Sequence, residues 1–416
     1  MIELSKEQLA VVNSQSKNII VDAAAGSGKT RVLTERVKKL LESGKDAKSF
    51  VIITFTNEAA NELKERLKDV KNSKDCFIGT IHSYANRLLK KTGKDFDIFS
   101  EFYQTQFMEI LIPKYALYCT IDDYYSFLKY DKMVSSGRMS ASEISSKFSD
   151  IKVYNEIMQL LGRSHNYSYE VTVKDLCADN NIITFDELLE LATKYFKETG
   201  ENPQYLFVDE LQDIGYLEYD FLMALKSKHT FVVGDTFQAL YAWKGGDVNI
   251  FLSLVNNPDW KYYKLVENYR TAVDILRFAN AIIKNAKDII PKEVVPKREE
   301  KGELKFIAKN QLDSFLSKID KDEKWYILTR SNKELNMIDT ALKKQNIDHC
   351  CKRSGDVSMK LDKNICIMTI HTSKGSECDN VALYGKLPVN GKGESDEIKV
   401  LYVGLTRAKN KCIVFI

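Results

Sequence analysis

The sequence predicts an α/β protein with two parallel-sheet domains and a mostly helical insertion in the first. Three observations predict it. Short, continuously apolar runs such as Asn18–Val21 and Phe50–Ile53 read as strands buried on both faces. Segments of helical spacing follow them: Val32, Leu33, Val37, Leu40 and Leu41, then Ala59, Ala60, Leu63, Leu67 and Val70. The alternation stops near residue 92, resumes at 205 and starts afresh beyond 300, and strands alternating with helices imply parallel sheets with crossover helices. A chain of 416 residues is long enough for two to four such units.

The first domain takes residues 1–92 and 184–268. Its later strands are Tyr205–Val208 and Thr230–Val233. Residues 93–200 are rich in Phe and Tyr and keep helical periodicity without strand alternation; the insertion is placed at 93–183. The second domain takes 269–416. Strands are expected at Leu304–Ile307, Trp325–Leu328, Asn364–Thr369, Asn380–Leu383 and Cys412–Ile416, and helices at about 272–286, 332–345 and 396–407. Pro291, Pro296 and the charges of 297–303 read as a connecting loop.

Hydrophobic residues at 44% and charged residues at 29% exclude a disordered tail or a coiled-coil rod. No apolar run reaches the roughly 18–20 residues that span a bilayer, and the amino terminus lacks a secretory pattern, so a cytoplasmic protein is expected. The net charge of +3 does not argue for nucleic acid; only residues 61–95, with nine Lys/Arg against five Asp/Glu, are locally basic. Eight cysteines without a C-x-x-C pair are expected to be reduced thiols, and zinc is not expected.

The chemistry is concentrated at Ala23-Ala24-Ala25-Gly26-Ser27-Gly28-Lys29-Thr30, between a buried strand and a helix. Small residues let backbone N–H groups approach a phosphate, and the helix N-terminus favours the anion. Lys29 is expected at the β- and γ-phosphates of ATP and Thr30 on Mg²⁺. Asp209 and Glu210, at the end of an apolar run, suit the Mg²⁺ shell and the general base that orients water.

These elements and the blocks around them resemble the UvrD/Rep/PcrA group of superfamily 1 DNA helicases. Leu4–Val11 looks like the adenine-reading Q motif, with Gln8 as reader. Phe55–Ala60 looks like motif Ia and Gly79–Ser83 like the next DNA-contacting block. Asp209–Asp213, Gly234–Trp243, Asn268–Thr271, Thr369–Glu377 and Tyr402–Lys409 resemble motifs II to VI in order. The resemblance implies two RecA-like domains (1A and 2A, with insertion 1B) and ATP bound between them. Nucleotide contacts would come from Gln8, Ala25, Gly26, Ser27, Gly28, Lys29, Thr30, Arg31, Tyr269 stacked on adenine, and Glu377. Gln238 would sense the γ-phosphate, and Arg270 and Arg407 would neutralise charge developing on it. Phe55, Asn57, Thr80, His82, Tyr241, Trp243 and His371 would contact DNA, the aromatic rings by sequence-independent stacking.

The implied activity is ATP-driven 3′→5′ translocation on single-stranded DNA, with unwinding at single-strand/duplex junctions. The alternative is a DNA-stimulated ATPase subunit that activates or loads a partner nuclease, as in antiphage systems; a repair or replication partner is the other expected kind. Three departures stand out. Thr236-Phe237 replace the usual acidic or small polar residues. Lys244 stands where Arg is usual, losing the bidentate fork. Only 98 residues (271–368) separate Arg270 from Thr369, too few for the helical 2B subdomain that the family inserts there.

Overall fold

The computed structural model describes residues 3–93, 95–98, 117–120, 123–124, 126–127, 140–148, 150–160, 182–200, 202–242, 245–353 and 361–416. The first unit begins with α1 (Lys6–Asn13), β1 (Asn18–Ala23), α2 (Lys29–Glu42), β2 (Phe50–Ile53), α3 (Asn57–Leu67), β3 (Phe77–Gly79) and α4 (Ile81–Lys90). Its chain returns as α7 (Phe185–Thr199), β6 (Tyr205–Val208), α8 (Tyr216–Ala224), β7 (His229–Gly234), α9 (Val248–Val255) and β8 (Lys261–Leu265). Six parallel strands run in the order β3-β2-β6-β7-β1-β8.

Because successive side chains point to opposite faces, Ile19 and Val21 join a core with α1 to α3, while Ile20 joins one with α4, α7, α8 and α9. This explains the unbroken apolar runs. It also assigns α7 to the first sheet, through Leu188, Leu189, Ala192 and Phe196. The α1 end is tied down by Arg36, whose Nη1 donates to Val11, Val12 and Ser14 carbonyls.

Of the expected helical insertion, the described residues hold β4 (Asp97–Ile98), α5 (Ala141–Ser145), α6 (Ile151–Leu160) and β5 (Ile182–Ile183). β4 and β5 pair in parallel, a two-residue ladder that periodicity did not signal. Most of the stretch lies outside the described residues.

The second unit runs β9 (Glu267–Asn268), α10 (Val273–Ile283), β10 (Val295–Pro296), β11 (Glu303–Ile307), α11 (Leu312–Lys318), β12 (Trp325–Thr329), α12 (Asn332–Lys344), β13 (Cys350–Cys351), β14 (Ile365–Thr369), β15 (Cys378–Tyr384), α13 (Ser395–Leu405) and β16 (Ala408–Phe415). Its sheet is again parallel, in the order β11-β16-β15-β12-β14-β13. The core under α10 and α13 continues into Ala24, Ala25, Phe237 and Leu240 of the first unit, so the two sheets share apolar packing beneath their cleft.

The expectation of reduced thiols is corrected at one place. Cys350 and Cys366 form a disulfide, because the β13–β14 register sets them directly opposite with Cα atoms 4.6 Å apart. Register between strands is not visible in cysteine spacing. Cys76, Cys119, Cys378 and Cys412 are free, and Cys177 lies outside the described residues. Among the described residues no helix is long and apolar enough to cross a membrane.

Candidate active site

The phosphate loop leaves β1 at Ala23 and enters α2 at Lys29. Gly26 and Gly28 have positive φ, 65° and 83°. A Cβ at Gly26 would fall 2.7 Å from Asn268 Nδ2 and 2.8 Å from Arg270 Cβ, so glycine is needed for both conformation and approach. Gln8 closes the loop from behind. Its Nε2 donates to the Ser27 carbonyl at 2.9 Å, and its Oε1 accepts from Ser5 N at 3.0 Å in the box that caps α1.

Two polar atoms of the loop stand out. Ser27 Oγ and Lys29 Nζ are buried and make no hydrogen bond. Lys29 Nζ lies 3.2 Å from Glu210 Oε1, an ion pair without hydrogen-bond geometry. Buried donors left unmade are costly, and a phosphate oxygen at the α2 N-terminus would satisfy both. The residues therefore fit a nucleotide polyphosphate. Thr30 and Asp209, a hydroxyl and a carboxylate lining the same cleft, are oxygen donors of the kind a magnesium ion takes.

Glu210 has φ of 55°, a left-handed conformation for a non-glycine residue two positions after β6. Such strain, of order 1–3 kcal/mol, persists where surroundings over-determine it. Here Gln212 Nε2 donates to Glu210 Oε2 at 2.6 Å. Burial opposes the Glu210 charge, but Lys29 and Lys374 outweigh it and hold the carboxyl well below its ordinary range. Burial and that neighbouring carboxylate push Asp209 up, to about 7.

The opposite wall comes from the second sheet. The cleft holds about 1680 Å³ and is lined by Gly26, Gly28, Lys29, Thr30, Arg31, Asp209 and Glu210 on one side. Tyr269, Arg270 and Glu377 line it from the other. Arg270 Nε donates to Glu377 Oε2 at 2.5 Å, and Lys409 Nζ pairs with Glu377 Oε1 at 2.8 Å. Tyr269 is exposed and donates its hydroxyl to Glu267. Gln238 and Arg407 lie beneath the surface instead. Arg407 Nη2 donates to Gln238 Oε1 at 2.9 Å, and its Nε and Nη1 donate to the Val403 and Ser376 carbonyls.

The expected DNA residues divide into two groups. Phe55 stacks on Tyr241 with ring centroids 4.8 Å apart, and Tyr241 meets His371 edge-on at 6.3 Å. The three rings line the cleft and cross from the first sheet to the second. Asn57 is exposed in the first turn of α3. Thr80 caps α4 by accepting from Ser83 N, and His82 lies edge-on to Phe185 at 4.8 Å. Trp243 and Lys244 lie outside the described residues.

Sequence reading missed three residues here. Lys374 reaches across the cleft, ion-paired with Asp213, donating to the Gln238 carbonyl at 2.9 Å and lying 3.6 Å from Glu210. Asn268 is buried, donating to the Ala25 carbonyl at 2.7 Å while its Oδ1 accepts from Arg270 N and Thr271 N. It thereby fastens the phosphate loop to the turn that presents Arg270. Phe185, half-exposed beside His82, adds a ring that no block contained. Lys374 and Asn268 both sat inside recognised blocks, which was the available signal.

Residues 4–259 match the model of the UvrD/REP helicase N-terminal domain, and residues 263–356 and 352–416 match that of the UvrD-like helicase C-terminal domain. The chain belongs to the UvrD/REP helicase family. Its two sheets are the two RecA-like domains of a UvrD-like helicase. It is 28% identical to a probable DNA helicase of Mycoplasma pneumoniae, across 98% of this chain and 82% of that protein. It is 27% identical to ATP-dependent DNA helicase PcrA of Staphylococcus epidermidis across 83% of this chain. PcrA of Bacillus subtilis is 29% identical across 71% of it. The UvrD-like chain spans about half the length of these PcrA relatives, 50% and 41%.

Proposed function

We propose that this UvrD-like chain hydrolyses ATP in the cleft between its sheets and uses the cycle to move 3′→5′ along single-stranded DNA, unwinding duplex at junctions. The buried, unsatisfied Ser27 Oγ and the buried Lys29 ammonium, ion-paired to Glu210 at the start of α2, carry the reading. In it, Lys29 and the loop amides bind the β- and γ-phosphates. Glu210 orients the attacking water and takes its proton. Gln238 and Arg407, buried behind the wall, reach the γ-phosphate as the cleft rearranges, and Arg270 is handed from Glu377 to the nucleotide. Thr30 and Asp209 would hold the magnesium ion that accompanies ATP, which spreads phosphate charge when bound.

The ring series Phe55–Tyr241–His371 spans the cleft, so opening and closing it would shift stacked bases relative to one sheet. The 271–368 interval is taken up by α10 to β14 and their connections, with seven residues, 354–360, outside the described set. This supports a motor core without the 2B gate, in which the 93–183 insertion or a partner protein supports strand separation. The test is ATPase rate with and without single-stranded DNA, beside strand displacement on duplexes with 3′ and 5′ tails, alone and with candidate partners. Absence of DNA-stimulated hydrolysis would refute the reading. Displacement restricted to partner-containing samples would make it an ATPase subunit.

A further inference from the structure

Under the phosphate loop lies a buried lysine that neither the motif blocks nor the proposed chemistry uses. Lys292 belongs to the segment after α10, yet that segment lies against the first sheet. Ile290 N donates to Thr236 Oγ1 at 3.0 Å, Val295 N to the Val266 carbonyl at 2.8 Å, and Lys297 N to the Asn268 carbonyl at 2.8 Å. The Lys292 side chain has no exposed area. Its Nζ donates to Asp22 of β1 and, at 2.8 Å, to Asp235 Oδ1 just after β7. It lies 4.5 Å from the Phe237 ring centroid.

The cluster continues towards the cleft. Asp235 Oδ1 also accepts from Phe237 N at 3.1 Å, and Oδ2 accepts from Gln238 Nε2 at 2.5 Å. Gln238 Oε1 then receives Arg407. A primary amide has one donor end and one acceptor end. With Asp235 fixed as acceptor, the Gln238 oxygen must point at Arg407. Lys292 and Phe237 N share the other oxygen of Asp235, so Lys292 helps fix which way that carboxylate faces. Buried ion pairs are a weak source of stability and a good source of fixed geometry.

We propose that Lys292 is a positioning residue for hydrolysis, acting through Asp235 on the orientation of Gln238 and Arg407. The inference rests on the proposed function, since it assigns those two groups to the γ-phosphate.

The experiment compares Lys292→Met with the double variant Lys292→Met/Asp22→Asn, which restores the cluster's net charge, and with Lys292→Arg. Thermal unfolding, kcat and KM for ATP are measured, each also in a Gln238→Ala background. We expect kcat to fall at least tenfold with KM within about twofold, in the single and in the charge-balanced variant, although the latter melts near the parent. Lys292→Arg should recover part of kcat. In the Gln238→Ala background, Lys292→Met should cost nothing further. Parent kcat in the charge-balanced variant, or losses that multiply with Gln238→Ala, would overturn the proposal. So would failure of both Met variants to fold, which would make Lys292 a support of the fold alone. A parent protein without ATPase activity would instead refute the underlying function, a separate outcome.

Discussion

Arg407 and Gln238 are joined by a hydrogen bond of 2.9 Å that links the second sheet to the first beneath the cleft wall. Both side chains are buried, so removing either takes this partner from the facing atom of the other, Gln238 Oε1 or Arg407 Nη2. Arg407→Ala should lower stability by about 1–3 kcal/mol through the orphaned Gln238 oxygen. It should lower kcat by about 10³-fold or more, the scale of an arginine that meets transferring phosphate. Arg407→Lys should not restore kcat, because an ammonium cannot serve Val403, Ser376 and Gln238 together. Steady-state ATPase and denaturant unfolding check this; near-parent kcat in the Ala variant would remove Arg407 from the chemistry.

Lys29 and Glu210 should separate binding from turnover. Lys29→Ala removes the buried ammonium at the loop and should weaken ATP binding as well as hydrolysis. Glu210→Gln keeps shape and hydrogen-bonding capacity but cannot accept the water proton. It should bind ATP near parent affinity and lose turnover. Parent-rate hydrolysis by Glu210→Gln, measured by phosphate release, would exclude Glu210 as the base.

The stacked rings predict a non-additive pair. Phe55→Ala or Tyr241→Ala should each weaken single-strand binding by about 1–3 kcal/mol. Because the rings touch at 4.8 Å, the double variant should lose less than the sum. Fluorescence titration with a labelled oligonucleotide reads this directly. Full additivity would mean that the two rings hold separate bases.

Lys374 is the cation between Asp213 and Glu210. Its removal leaves buried carboxylates facing each other, so Lys374→Met should cost about 3–5 kcal/mol. Adding Asp213→Asn should recover part of that. Equal stability of Lys374→Met and parent in urea unfolding would show that the cross-cleft pair does not hold the sheets together.

Glu377 predicts a pH effect. Burial opposes its charge, but Arg270 and Lys409 hold its carboxyl below the ordinary value. A lowered folded-state value stabilises above the ordinary carboxylate range, and the contribution is lost as pH falls through the lowered value. Thermal stability should therefore drop on the acid side, and Glu377→Gln should flatten that limb. An unchanged acid limb would show that the Arg270–Glu377 latch is not the titrating element.

Much of the architecture was legible in residue order. A strand buried on both faces reads as an unbroken apolar run, and a helix as a 3.6-residue spacing; both are local patterns, as β1, β2, α2 and α12 illustrate. The short strands were harder. β3 spans three residues and β13 two, too few for any period to register. The phosphate loop was readable because eight consecutive residues build it, between a strand and a helix.

The relationships that close the site are of another kind. Lys374 meets Asp213 across 161 positions of chain, and Lys292 meets Asp22 across 270. A lysine in a string of letters is as readily a solvated surface charge as a buried counter-ion. What distinguishes the two is the neighbouring carboxylate, and strand order brings that neighbour: β1 beside β7 puts Asp22 and Asp235 on one ammonium. The same holds for Cys350 and Cys366, paired by register between parallel strands. Local chemistry was written in the sequence, because short-range sterics and hydrogen bonding specify it. Which charges would be buried together was settled by packing, because desolvation and ion pairing act through space and not along the chain.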